Sequence, residues 1–134
     1  MQTFLPVADF KESAKILDYR RLGKQRGEAR QILNALQGKS KGWVNHPATK
    51  MWRGFEPALE QYLREMILEW LDRGYNNSME IPSKRSPIEF PAWFGNEQFH
   101  AAHRSNLLRK NFDYYYSEFG WTESSDLPYI WPVD

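Results

Sequence analysis

Apolar residues recur along this chain at three- and four-residue steps, and nowhere do they alternate in twos with the β-branched enrichment that marks strands. The clearest series is Leu59, Tyr62, Leu63, Met66, Ile67, Trp70 and Leu71. It predicts the strongest helix, from Ala58 to Arg73, with Pro57 able to begin it and Gly74 ending it. A second series, Leu22, Ala29, Ile32, Leu33 and Leu36, forms one stripe on a helix predicted from about Asp18 to Gln37 and closed by Gly38. Gln25 falls inside that stripe and Glu28 on its shoulder.

Shorter elements fill the gaps. Asp9 can cap a helix that begins at Phe10 and points Ile16 and Leu17 toward the core. In "NHPATKMWRGF", Asn45 or His46 can cap a short helix with Pro47 in its first turn. A further helix is predicted from about Asn96 to Lys110, with Phe99, Ala102, His103, Asn106 and Leu107 inward, and "NFDYYYSEFGW" can form one more. Residues 75–91 hold "NNS" and three prolines and read as an extended connector. The tail "DLPYIWPVD" is too proline-rich for a helix and too aromatic to float, so it should pack back over the helices. The expectation is an all-α chain of four to six helices forming one compact domain over residues 1–134.

Composition narrows the function. With 18 basic and 17 acidic residues the formal charge is only +1, so nucleic-acid binding would have to rest on local clustering. The absence of cysteine removes disulfides, thiolate metal sites and a cysteine nucleophile. His100 and His103 share a helix face, but no carboxylate stands at the matching turn, so no metal and no cofactor is expected. No basic-then-apolar leader opens the chain and no apolar run approaches the roughly 20 residues of a membrane span, which points to a soluble, cytoplasmic protein without a membrane partner.

The positive charge is gathered in "YRRLGKQRGEARQIL". Arg20, Arg21, Lys24, Arg26 and Arg30 occupy the start of the second helix, where the dipole normally favours acids. One reading is a solvated helix face; the other is a phosphate grip in which side chains and dipole act together. Glu28 should be partly buried within reach of Arg21 or Arg26, either as a structural ion pair or as a catalytic carboxylate in a cationic pocket. Gln25 either reads a base edge or satisfies a buried backbone group. Around "GWVNHPATKMWRGFE", Trp43, His46, Lys50, Trp52 and Arg53 interleave aromatics with cations, as base stacking with backbone neutralisation requires, while core packing competes for each Trp. His103 and Arg104 can line a pocket or contact phosphate.

Taken together, "MQTFLP", "LDYRRLGKQRGEARQIL", "NHPATKMWRGFEPALEQY" and "LPYIWP" resemble the pyrimidine-dimer DNA glycosylase superfamily, small helical enzymes of the bacteriophage endonuclease V type, and most closely a bacterial and phage branch of it. The resemblance implies an all-α fold, an N-terminal α-amine that attacks the sugar carbon of a damaged nucleotide, an assisting helix-borne glutamate, and arginines that grip DNA. Two positions depart from the pattern. The relatives' Tyr-Arg-Glu is met by Tyr19-Arg20-Arg21, so Glu28, about two helical turns on, is the nearest replacement. Gln2 is too large for efficient removal of Met1, so Met1 itself would supply the amine, and α-amines, titrating near about pH 8, keep a neutral fraction at pH 7. The resemblance thus predicts a glycosylase acting on DNA with a damaged or modified base, with AP-lyase activity open. Two other readings remain: a hydrolase of a free nucleotide or nucleoside derivative, and a non-catalytic nucleic-acid-binding module.

Overall fold

A computed structural model describes residues 1–133. Six helices follow one another: α1 (Phe10–Ile16), α2 (Tyr19–Leu36), α3 (Pro47–Lys50), α4 (Glu56–Asp72), α5 (Glu97–Lys110) and α6 (Phe112–Phe119), and there is no strand among the described residues. The all-α expectation holds, and the helix ends fall within about two residues of those read from periodicity.

Local chemistry accounts for the starts. The Asp9 side chain accepts the Glu12 N–H at 2.8 Å, His46 Nδ1 accepts the Ala48 N–H at 3.0 Å, and Asn96 accepts the Phe99 N–H at 3.0 Å. Each satisfies one of the donors a helix leaves open at its beginning. The stripes of α2 and α4 then face one another. Leu22, Ala29, Ile32 and Leu33 bury against a core that includes Leu59, Leu63, Met66 and Ile67, and α1 packs on α4 as well. Burial of this order, at about 1.5–3 kcal/mol per large side chain, is what holds the bundle together.

Gly23 sets how closely α2 and α4 approach. A Cβ there would lie 3.1 Å from the Trp70 ring, and the ring's face carries the Arg26 guanidinium at 4.3 Å. The connector of residues 75–91 has no regular structure but is strapped down by arginines: Arg26 donates to Asn77 Oδ1, Arg30 to Glu80 O and Arg64 to Pro82 O, while Arg85 pairs with Glu60. The tail returns over α5, where Leu127 N–H donates to Ser105 Oγ at 3.0 Å and Tyr129, Trp131 and Val133 pack against the core. No described helix is long and apolar enough to cross a membrane.

Candidate active site

The six N-terminal residues contain no helix or strand, yet Gln2–Pro6 are buried. Buried extended backbone must find partners for its polar groups. Here nearly all come from side chains of distant helices. Phe4 N–H donates to Gln25 Oε1 at 2.9 Å; the Tyr62 hydroxyl lies 2.8 Å from Phe4 O and 2.6 Å from Gln25 Oε1, with one proton to give. Leu5 N–H donates to His103 Nδ1 at 2.9 Å, His100 Nδ1 meets Leu5 O at 2.8 Å, and Arg104 donates to Pro6 O at 2.7 Å. Trp52 Nε1–H donates to Thr3 Oγ1 at 3.0 Å.

These partners fix the histidine protons. Leu5 O must accept, so His100 carries its proton on Nδ1 and its Nε2 accepts the Gly95 N–H at 3.0 Å. His103 Nδ1 must accept, which puts its proton on Nε2, a buried atom without a partner. Complete burial pushes the His103 pKa down to about 3, with His100 adding a smaller effect, and burial lowers His100 as well. Both rings therefore work as neutral clamps.

The clamp delivers Met1 to a pocket of about 350 Å³. Met1, Gln2 and Phe4 form one side; Arg20, Arg21, Lys24, Gln25 and Glu28 of α2 form the other, closed by Lys110 and Tyr129. Four cations thus surround one carboxylate. Gln25 is the hinge between clamp and pocket: its Oε1 takes the Phe4 N–H while its Nε2 donates to Glu28 Oε2 at 2.8 Å. Of the two roles expected for Gln25, satisfying a buried backbone group is the one its contacts display. Glu28 is half-buried, and none of the ion pairs among the described residues includes it. The expected Arg21 or Arg26 partner is replaced by Gln25.

Arg21 pairs with Asp18 at 3.3 Å, and Asp18 is buried beneath the Tyr115 hydroxyl. Burial, then the Asp18 carboxylate, drives the Tyr115 phenol well above its ordinary range. Arg20 is held over Tyr19, whose hydroxyl accepts from its Nε at 3.1 Å and raises its pKa. His46 stands near enough to feel both candidate catalytic groups: burial and the Met1 amine lower its pKa, and Glu28 opposes them. Its ring is flanked edge-on by Trp43 at 5.5 Å and Trp131 at 5.7 Å.

Other residues read as DNA or nucleotide contacts do not line this pocket. Trp52 and His103 are fully buried, so neither presents a face to a base; both hold the N-terminal segment instead. Arg104 is engaged by Glu97, Glu123 and Pro6 O and has no free edge for a phosphate. Arg26 turns to the opposite side of α2, onto Trp70 and Asn77, and burial lowers its pKa. Trp43, Lys50 and Arg53 are exposed, with Arg53 bonded to Val44 O at 3.1 Å. A cleft of about 490 Å³ between α1 and α4 interleaves Lys11, Lys15, Arg64 and Lys84 with Glu65, Glu69 and Asp72, and contains none of the predicted site.

Gln2, Phe4, Lys110 and Tyr129 join the pocket without having been predicted as site residues. The packed-back tail was the only signal for Tyr129, and nothing local marked Lys110. Among the described residues, no group of three His, Asp or Glu could hold a metal ion.

This arrangement, Met1 and Glu28 lining one pocket with the cations of α2 on an all-α fold, coincides with a family match. The model of the pyrimidine dimer DNA glycosylase family matches residues 1–83, well over half of the chain, and the chain belongs to that family. No curated protein and no solved structure gives a significant match. His100, His103, Arg104, Lys110 and Tyr129 lie beyond the matched residues.

Proposed function

We propose that the protein is a DNA glycosylase acting on a damaged or modified base, with the Met1 α-amine as nucleophile and Glu28 as the carboxylate that assists it. The observation that carries this reading is the convergence of Met1, Gln25 and Glu28 on one pocket beneath Arg20, Arg21 and Lys24. Family membership supports the general class, and the chemistry below is the finer reading.

The neutral amine's lone pair forms a bond to C1′ as the bond from C1′ to the base breaks, and that electron pair leaves with the base, which takes up a proton. The new ammonium loses a proton, the C1′–O4′ bond opens with O4′ protonated, and an imine remains. Removal of a C2′ proton then expels the 3′ phosphate, which is the lyase half; water on the imine alone regenerates the amine. The Glu28 carboxylate stabilises oxocarbenium-like charge at C1′ and carries the C2′ proton, while Gln25 holds it in place. Arg20, Arg21, Lys24 and Lys110 neutralise phosphates, and His46 borders the displaced nucleotide.

Borohydride trapping on DNA with an abasic site tests it. The expected result is a covalent adduct mapped by mass spectrometry to Met1, and a loss of turnover of at least about 100-fold in Glu28→Gln. A wild-type protein with a free amine that yields no adduct overturns the amine mechanism. A free nucleotide is the second reading, favoured by a pocket only large enough for one nucleotide; it predicts a higher Tm with nucleoside monophosphates and negligible duplex binding at moderate salt.

A further inference from the structure

Trp43 stands where a protein would not ordinarily place its largest side chain. Its φ is 68°, in the left-handed region; the other positive-φ positions among the described residues, 38, 54, 74, 95 and 120, are all glycine. Such a backbone costs a bulky residue stability unless the surroundings hold it there. Nor does the core reward the choice, because Trp43 is 49% exposed. Glycine precedes it at 42, so the loop could have placed its flexible residue one step later and kept its course. The neighbouring Arg53 bond to Val44 O and the His46 N–H bond to Trp43 O, 3.1 Å each, help hold the strained turn.

Its surroundings fit one partner. From Ala29 to Phe55 the chain carries no Asp or Glu but five cations, of which Lys39, Lys41, Lys50 and Arg53 are exposed. The Trp43 ring meets His46 at 5.5 Å, His46 meets Trp131 at 5.7 Å, and Trp131 meets Tyr129, which lines the pocket, at 5.5 Å. A flat apolar side chain projecting from a loop segment rich in cations, joined through these rings to the pocket that would receive a nucleotide, matches a stacked duplex with phosphates on either side.

We infer that Trp43 is a wedge: it inserts into the base stack of duplex DNA at the position the displaced nucleotide vacates, while Lys41, Lys50 and Arg53 hold the flanking phosphates. The inference rests on the glycosylase reading and assigns a step that the amine and Glu28 do not perform, opening the stack. Single-stranded DNA needs no such opening.

The experiment measures borohydride trapping on the same abasic oligonucleotide as duplex and as single strand, with 2-aminopurine fluorescence opposite the site reporting unstacking. In Trp43→Ala the duplex-to-single-strand ratio of trapping rates should fall at least tenfold and the fluorescence rise on binding should disappear, while Trp43→Phe retains most of both. Trp43→Gly should behave like the alanine variant yet melt no lower than wild type, because it relieves the backbone. An unchanged ratio together with an undiminished fluorescence rise in Trp43→Ala overturns the wedge. If wild type traps neither substrate, the amine mechanism fails, and the fluorescence arm still decides the wedge.

Discussion

The two ends of the chain lack regular structure, carry prolines and both lie against α5, but they are held differently. Residues 2–6 are buried and fixed by directed hydrogen bonds from Trp52, Tyr62, Gln25, His100, His103 and Arg104. Residues 121–133 are exposed or half-exposed and held both by stacked or tilted rings, with Trp121 on Tyr115 at 5.0 Å and Tyr129 beside Trp131 at 5.5 Å, and by a few hydrogen bonds between α5 and Glu123, Ser125 and Leu127. Hydrogen bonds fix atoms to within tenths of an ångström and lose most of their strength when bent, whereas ring packing tolerates sliding. The N-terminal segment is buried and fixed along its backbone, whereas the tail lies over the helices as a cover.

Substitutions at the two ends should therefore separate position from stability. The largest effect is expected at Gln25. Gln25→Met keeps the volume but leaves Phe4 N–H unpaired and Glu28 Oε2 without its donor. Stability should fall by about 1–3 kcal/mol in a denaturant titration, and trapping should fall at least tenfold in samples that are still fully folded. Equal loss of trapping and folded fraction would remove the distinction between the two ends.

His103→Asn comes next, keeping an acceptor for Leu5 N–H while removing a titrating group. The wild-type ring has its pKa depressed from 6.5 to about 3, so the unfolded state binds more protons between those values. Stability is full above pH 6.5 and drains as pH falls toward 3, with a slope of up to about 1.4 kcal/mol per pH unit from this group. Tm measured from pH 7 to pH 4 should drop less steeply in the variant, which starts about 1 kcal/mol lower at pH 7 for lost packing on Phe4 and Phe99. Parallel curves would mean that His103 is not the acid-sensitive clamp.

The smallest effect belongs to the tail. Trp121→Leu removes stacking on Tyr115 and Phe119 at a cost of about 1 kcal/mol. Trapping per folded molecule should stay within about twofold of wild type, since no directed bond to the pocket is lost.

Periodicity made the helices legible, because α2 and α4 each bury one continuous stripe. It also exposed Gln25, as a polar residue inside an apolar stripe, and Glu28 at its edge. The N-terminal segment could not be read this way. Five extended residues have no period to detect, and their partners lie up to 98 positions away. Trp52, His103 and Arg104 were legible as chemistry but not as location: an indole N–H, an imidazole and a guanidinium serve a buried backbone as readily as a nucleotide. Arg26 left the cationic cluster because Gly23 lets the Trp70 ring lie close against α2, a tertiary event with no local mark.

The pairing of Leu5 with His100 and His103, 95 and 98 residues later, also has a consequence in time. A ribosome adding roughly 5–20 residues per second releases the first six residues several seconds or more before α5 can grasp them. Until then residues 2–6 lack the α5 partners that fix their backbone. A nascent or truncated chain that stops short of α5 therefore holds every α2 residue of the pocket but not the clamp that sets its N-terminal wall.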